Sequence, residues 1–198
     1  MKIYDISRRI DEETPVWPGD IAFSWRELDS PNAAAPWGTT CFTMSAHCGT
    51  HIDAPSHVFT DGKPIGDAVL STYIGPARVI ALPGLGEVGA DELPRMALGV
   101  TRVLFRSGGR ASLSPLAALR LAERGTLLVG TDAASIDPED SEDLPAHRAL
   151  LGSGVALLED LDLQAVPEGT YQLIALPLRF AELDASPVRA ILIGDEPD

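Results

Sequence analysis

Apolar and polar residues alternate along Phe42–Asp53. A period of two predicts a strand with one apolar, buried face and one polar face. The polar face would carry Thr43, Ser45, His47, Gly49, His51 and Asp53. Cys48 falls on the opposite face, so we interpret it as a core residue rather than a ligand.

Shorter patterns predict the remaining elements. Apolar runs predict strands at Ile3–Ile10, Val79–Leu82, Val100–Phe105, Thr126–Val129, Val155–Glu159, Leu173–Leu176 and Val188–Ile193. Helical spacing predicts helices at Pro115–Arg124, closed by Gly125, and at Pro145–Leu151, where proline suits the first turn. Strands that alternate with two short helices indicate a mixed α/β fold, with residues 1–198 forming a single domain.

The charge and composition exclude several classes of partner. Acidic residues outnumber basic ones 29 to 15, the formal net charge is −14, and the sequence contains no cluster of lysine or arginine. We therefore expect no binding to nucleic acid or to an anionic membrane surface. No apolar stretch approaches the roughly 18 residues of a membrane span, and Met1–Ile10 lacks the apolar core of a signal peptide. We expect a cytoplasmic protein.

Three of the four histidines lie in the segment Ser45–His57. His47, His51 and Asp53 share the polar face, but residues four apart in a regular strand are separated by about 13 Å. Gly49 and Pro55 would permit a bend that brings the side chains together. Imidazole and carboxylate ligands suit Zn, Mn or Fe better than Ca or Mg.

A metal site explains this cluster better than packing does. A lone histidine on a strand is more often a hydrogen-bonded structural residue, but three histidines beside an aspartate would be costly to desolvate without a cation. His147, near the start of the second helix, and Glu159, at the end of an apolar strand, are weaker candidates when judged by position alone.

The segment His47-Cys-Gly-Thr-His-Ile-Asp-Ala-Pro-Ser-His57 resembles the H-x-G-x-H-x-D-x-P-x-H signature of the cyclase family. The similarity extends to Tyr4–Ser7, Pro15–Asp20, Gly130–Asp137 and Asp184–Ala190, so it covers most of the chain. It implies a swivelling β/β/α-type domain with a central mixed, barrel-like sheet and flanking helices. It also implies a homodimer or a higher homo-oligomer.

The resemblance implies a cofactor of two divalent metal ions, Zn²⁺ with Mn²⁺ as the alternative. His47, His51 and Asp53 would hold one ion. Asp53 would also reach the second ion, which His147 would complete, and Glu159 would touch both. His57 matches the proton-transfer residue of the family, and Trp17 matches an aromatic residue that contacts the substrate.

The implied activity is that of a metal-dependent amidohydrolase acting on a small aryl formamide. The implied substrate is N-formyl-L-kynurenine, cleaved in tryptophan degradation to L-kynurenine and formate by metal-bound hydroxide, with His57 as general acid/base. Trp17 would stack on the substrate ring, although a turn residue that packs on its own hairpin is an equal alternative. A serine-hydrolase route is disfavoured because the sequence has no Gly-x-Ser-x-Gly motif.

Two alternatives remain open at this point. Another amidohydrolase of the family, acting on a cyclic amide such as isatin, would share the metal ligands and differ in the pocket around Trp17, Trp25, Trp37 and Phe59. A non-catalytic metal-binding relative is the other alternative. His57 argues against it, because the ligand set does not need this residue.

Overall fold

The computed structural model describes residues 1–31, 36–82, 86–93 and 95–194. The strands in these ranges are β1 (Lys2–Asp5), β2 (Ser24–Asp29), β3 (Thr39–Thr43), β4 (His51–Asp53), β5 (Ile74–Ala81), β6 (Glu87–Val88), β7 (Arg102–Arg106), β8 (Ser112–Leu113), β9 (Leu128–Thr131), β10 (Ala156–Glu159), β11 (Gly169–Ile174), β12 (Ala185–Pro187) and β13 (Ile191–Gly194). The α-helices are α1 (Pro115–Glu123) and α2 (Pro145–Gly152).

Nine of the strands form one mixed sheet in the order β1-β13-β11-β5-β7-β9-β10-β4-β12. Its centre, β5 to β10, is parallel, whereas both flanks are antiparallel. Two small sheets, β2 with β3 and β6 with β8, stand apart from it. This architecture confirms the mixed α/β fold.

The large sheet is curled. The evidence is that the chain segment after β1, at one edge of the sheet, contacts residues beside β10 and β4, near the other edge. After β1, the backbone nitrogen of Ile6 donates to the carbonyl of Ala190 at 3.0 Å, and Ser7 forms a β-bridge with Leu161, just beyond β10. The nitrogen of Arg8 then donates to Oγ1 of Thr50, just before β4, at 2.9 Å. This curvature matches the barrel-like sheet that we expected.

The central strands are apolar on both faces, as buried parallel strands usually are. On β7, Val103 and Phe105 belong to the core cluster beneath α1 and α2, whereas Leu104 points to a second cluster on the other face of the sheet. Leu157 and Leu158 of β10 divide between the two clusters in the same way. The β4–β10 flank, which carries several polar side chains, is therefore held between two packed layers.

Both predicted helices are confirmed within one residue at each end. Pro145 begins α2, and Ser114 caps α1 by accepting a hydrogen bond from the nitrogen of Ala117 at 3.2 Å. Gly125 follows α1 with φ +82°, as expected of a residue that closes a helix. Neither helix in the described ranges has the length and apolar character needed to cross a membrane.

The prediction of one continuous strand over Phe42–Asp53 is wrong. β3 ends at Thr43, β4 begins at His51, and the residues between them form turns. A turn closes where the nitrogen of Cys48 donates to the carbonyl of Ser45 at 3.1 Å, and Gly49 has φ +69°. A positive φ interrupts an extended strand, and a period-two pattern does not reveal it.

The sequence patterns also missed the β2–β3 hairpin. Every residue of β2 is exposed, and Trp25 lies opposite Phe42 in the antiparallel pair. A hairpin without a buried face has no amphipathic alternation by which it can be recognised.

Candidate metal centre

The turn between β3 and β4 places His47 against His51. Gly49, the residue that permits the turn, is required for two reasons: its φ is positive, and a Cβ there would lie 3.0 Å from a side-chain carbon of Ile10. The imidazole centroids of His47 and His51 are 4.9 Å apart. The predicted bend at Gly49 is therefore present, in a sharper form than a bulge within a strand.

Strand β4 lies between β10 and β12, and all three of its residues are buried. The antiparallel register places His51 directly opposite Glu159 of β10. Side chains directly opposite each other in an antiparallel pair lie about 5 Å apart at Cβ. The sheet register therefore brings Glu159 to His51, although 108 residues separate them in the sequence.

Asp53 lies at the centre of the cluster. Its Oδ1 is 3.0 Å from Nδ1 of His47 and 3.3 Å from Nε2 of His51, and its Oδ2 is 3.4 Å from Nε2 of His147. Despite these approaches, both carboxylate oxygens and Nε2 of His51 lack a hydrogen-bond partner among the described residues. Buried polar atoms that converge without hydrogen bonds fit a site for a bound cation.

The environment of His51 defines which nitrogen is available as a ligand. Nδ1 lies 2.9 Å from the carbonyl oxygen of Gly49, which can only accept a hydrogen bond, so Nδ1 carries the proton. In the neutral ring, Nε2 then presents a lone pair toward Asp53 and toward Oε2 of Glu159, 3.6 Å away. A lone pair that faces two carboxylates is repelled by them, and a metal cation between these atoms would turn that repulsion into attraction.

His147 and Glu159 complete the buried cluster. Nε2 of His147 lies 3.3 Å from Oε1 of Glu159, and its Nδ1 lies 2.6 Å from Asp137. Oε1 of Glu159 also accepts a hydrogen bond from the nitrogen of Ile136 at 2.7 Å. The two oxygens of Glu159 thus face different histidines, His51 and His147.

The carboxylates create a strongly negative potential at the histidines. Burial lowers the pKa of His51, but the negative charges of Asp53 and Glu159 outweigh it and raise the pKa above its ordinary value. Burial also lowers the pKa of His47, but Asp53 and Asp184 together outweigh it and raise the pKa to about 9. A potential that retains protons on imidazoles also attracts divalent cations. The donor set of imidazole nitrogens and carboxylate oxygens fits Zn, Mn or Fe.

His57 lies at the rim of the cluster, at the end of the 3₁₀ turn Pro55–His57 that follows β4. Its ring centroid is 4.3 Å from that of His47 and 5.7 Å from that of His147. Burial and the neighbouring histidines lower its pKa against the opposing charge of Asp53. His57 is near enough to His47 and Asp53 to share an ion with them, so its position is compatible with a ligand role as well as with proton transfer.

Sequence reasoning missed two carboxylates that contact this cluster. Oδ2 of Asp184 lies 3.1 Å from Nε2 of His47 and 3.4 Å from Nδ1 of His57. Asp137 contacts Nδ1 of His147. Both aspartates lie in the segments that carry the family resemblance outside the histidine signature, and that was the only signal in the sequence that pointed to them.

Trp25 and Phe59 line different cavities, and Trp17 lies in a turn. Trp17 begins a turn in which the nitrogen of Asp20 donates to its carbonyl at 2.9 Å, and in the described part of the chain its ring does not pack against a histidine ring. Trp25 lines a cavity of about 570 Å³ with Phe23 and Phe42, and no histidine lines it. Phe59, by contrast, lines a cavity of about 230 Å³ together with His57.

Comparisons with known proteins agree on one family. A family model described as "Putative cyclase" matches residues 4–138. The kynurenine formamidase of Geobacillus thermodenitrificans (strain NG80-2) is 44% identical over 199 residues, covering 95% of this chain and 95% of that protein. The kynurenine formamidase of Paracidovorax citrulli (strain AAC00-1) is 42% identical over 206 residues, covering 96% and 95%.

Solved structures show the same fold. A structure described as a potential metal-dependent hydrolase with cyclase activity matches with a TM-score of 0.84 and 28% identity, covering 99% of both chains. Isatin hydrolase A from Labrenzia aggregata, bound to benzyl benzoate, matches with a TM-score of 0.85 and 24% identity, covering 98% of this chain and 94% of the other. At that identity the second similarity shows the fold alone.

Proposed function

The chain belongs to the cyclase family, and from this premise we propose that it hydrolyses N-formyl-L-kynurenine to L-kynurenine and formate. The chain is a metal-dependent amidohydrolase of the arylformamidase type. One observation of the structure carries this function: the oxygens of Asp53 and Nε2 of His51 are buried, converge, and have no hydrogen-bond partner in the described part of the chain. Such a set of atoms is arranged for a cation rather than for packing.

We propose that two divalent ions bind here, Zn²⁺ with Mn²⁺ as the alternative. The ligand set is His47, His51, Asp53, His147 and Glu159. Asp53 faces histidines on both of its oxygens, and so does Glu159, which supports the proposal that each would serve two ions. When bound, the ions would lower the pKa of water to near neutrality and polarise the formyl carbonyl.

We propose that His57 moves the proton. Its lowered pKa leaves the imidazole neutral at neutral pH, so it is able to accept a proton from the attacking water. As the oxygen of that water forms a bond to the formyl carbon, the π pair of the carbonyl moves onto the carbonyl oxygen, and it re-forms the C=O bond when the amine departs. As the C–N bond breaks, its electron pair stays on nitrogen and His57 returns the proton to the departing amine. Formic acid then ionises to formate, so atoms and charge balance.

Trp17 is proposed to contact the aromatic ring of the substrate. Its side chain is 37% exposed, so it retains surface for such a contact. The cyclic-amide alternative has support only from a shared fold, whereas relatives named kynurenine formamidase are 42–44% identical over nearly the whole chain. The sequence relatives therefore favour the formamide.

The remaining expectations stay proposals. We propose that residues 1–198 act as one catalytic domain and that the protein forms a homodimer or a higher homo-oligomer in the cytoplasm. Exposed apolar side chains on the β2–β3 hairpin, Trp25 and Phe42 among them, support self-association, because isolated hairpins with bare apolar faces are marginally stable.

The deciding experiment is hydrolysis of N-formyl-L-kynurenine by the metal-loaded protein, followed by the absorbance of kynurenine. A chelated sample is the control, and isatin is assayed in parallel. Chelator-sensitive turnover of the formamide, well above that of isatin, is the expected result. Turnover of isatin alone would transfer the assignment to cyclic amides. No turnover of either substrate with metal bound would refute the amidohydrolase assignment.

A further inference from the structure

The backbones of Asp184 and His57 are both hydrogen-bonded to the backbone of one residue, Ala54. The nitrogen of Ala54 donates to the carbonyl of Asp184 at 2.8 Å, and the carbonyl of Ala54 accepts from the nitrogen of His57 at 2.9 Å. The next pair in the sheet register is Asp53 with Ala185. The backbones of Asp184 and His57 are therefore fixed relative to each other by the β4–β12 pairing.

A second backbone hydrogen bond holds the segment before Asp184. The carbonyl of Leu183 accepts from the nitrogen of Ile65 at 2.9 Å. Asp184 is thus restrained on both sides, although its side chain is 47% exposed. An exposed carboxylate on a restrained backbone is suited to orient a neighbour, because little conformational entropy remains to be lost.

The side chain of Asp184 determines which nitrogen of His57 is free. Its Oδ2 lies 3.4 Å from Nδ1 of His57, and an ionised carboxylate can only accept hydrogen bonds. His57 therefore donates through Nδ1, and Nε2 is left with a lone pair in the neutral ring.

We propose that Asp184 is a positioning residue that holds His57 with Nε2 directed to the reaction. The inference rests on the proposed formamide hydrolysis and deepens it. Nε2 accepts the proton of the attacking water and then returns it to the amine nitrogen as the C–N bond breaks. Asp184 neither touches the substrate nor exchanges a proton in this scheme.

The rival explanation is that Asp184 acts through His47. The same Oδ2 lies 3.1 Å from Nε2 of His47, which we assign as a metal ligand. Carboxylates that hydrogen-bond to a ligand histidine commonly tune metal affinity. A useful test must therefore separate loss of metal from loss of His57 orientation.

The kinetic test compares Asp184→Ala and Asp184→Asn with Glu182→Ala, an exposed carboxylate two residues away. We expect Asp184→Ala to lower kcat about 10- to 100-fold, with metal content and KM unchanged. Asp184→Asn retains an acceptor oxygen and should lose less, and Glu182→Ala should match the wild type. In a His57→Ala background, Asp184→Ala should lower kcat little further. An equal further loss there, or loss of metal by elemental analysis, would overturn the proposal.

A measurement that needs no turnover separates this inference from the proposed function. The chain has only four histidines, so ¹⁵N spectra of the zinc-loaded protein should resolve His57, assigned with His57→Ala. We expect a protonated Nδ1 in the wild type and a mixture of tautomers in Asp184→Ala. An unchanged His57 tautomer would refute the role of Asp184, whatever the substrate. If instead the tautomer shifts but the wild type hydrolyses no formamide, the proposed function fails and the positioning contact stands.

Discussion

Oδ2 of the buried Asp137 lies 2.6 Å from Nδ1 of His147 and 3.0 Å from the backbone nitrogen of the same residue. Its Oδ1 accepts from the nitrogen of Ala146 at 2.8 Å. Leu144, which precedes α2, has φ 48° and provides no side-chain cap. A residue of the loop that leads into α2 therefore caps the helix and orients one of its side chains with the same carboxylate.

We expect Asp137→Ala to impair stability and metal binding together. Loss of the cap should lower the free energy of unfolding of the metal-free protein by about 1–2 kcal/mol. Loss of the contact to Nδ1 should weaken metal binding about 10- to 100-fold, since a ligand histidine is oriented by such a partner. Chemical denaturation and metal titration measure the two effects. Asp140→Ala, which removes an exposed carboxylate three residues away, is the control. Unchanged metal affinity in Asp137→Ala would contradict the ligand role of His147.

His57→Ala should keep the metal and lose most of the turnover. Removing a general acid/base typically costs about 10²- to 10⁴-fold in rate, and we expect kcat to fall in that range. Elemental analysis of the purified variant provides the check. Because His57 is close enough to His47 and Asp53 to share an ion with them, loss of metal in His57→Ala would show that it is a ligand.

Removing the metal should destabilise the fold as well as abolish activity. Without a divalent cation, the two buried carboxylates of Asp53 and Glu159 would lie close together around the same two histidines, His51 and His147. Ligand that is free at a hundred times its Kd stabilises a folded protein by about 2.7 kcal/mol. We expect a clearly higher melting temperature after Zn²⁺ or Mn²⁺ is added to chelated protein, with two ions bound per chain. A single ion per chain would contradict the two-ion assignment.

Metal binding should release protons. The pKa of His47 in the metal-free protein is about 9, so the ring is protonated at neutral pH and an ion must displace that proton. Apparent affinity should therefore rise with pH up to about 9. Calorimetric titrations in buffers with different ionisation enthalpies would measure the proton count. Heats that do not depend on the buffer would argue against displacement.

The same proton affects the stability of the metal-free fold with a defined sign. The pKa of His47 is raised from an ordinary value of 6.5, so its contribution to stability is fully present below 6.5. That contribution is lost as the pH rises through about 9. Denaturation of the metal-free protein across this range should show it, and a His47→Ala variant should lack this part of the pH dependence.

Trp17→Ala should raise KM for the aryl formamide and leave the metal content unchanged. We expect this because stacking on the substrate ring would strengthen substrate binding, which affects KM, and would contribute little to the chemical step, which affects kcat. Leu116→Ala on α1, which also truncates an exposed apolar side chain, is the control. Equal kinetics in Trp17→Ala and the wild type would leave Trp17 as a turn residue alone.

The periodicity of apolar residues in the sequence predicted the helices and strands that pack against the two core clusters. Both helices and the central strands follow apolar periodicity, because their side chains meet the two core clusters. The histidine spacing predicted that His47, His51 and Asp53 would come together even though its strand assignment was wrong, because Gly49 supplies the bend that a regular strand lacks. Asp184 escaped prediction by spacing because only a contact across 137 residues brings it to His47. Asp137 escaped because it lies in the irregular loop before α2, ten residues from His147, where no periodicity marks a side chain.

The distance along the chain between the parts of this site has a consequence for how the protein is made. His47 and Asp184, which share a hydrogen bond, are 137 residues apart. On a ribosome the histidine-rich segment emerges long before the partners that complete it, and closing so long a loop delays their meeting. A nascent chain that ends before Asp184 therefore carries the histidine-rich segment without the carboxylate that hydrogen-bonds to His47.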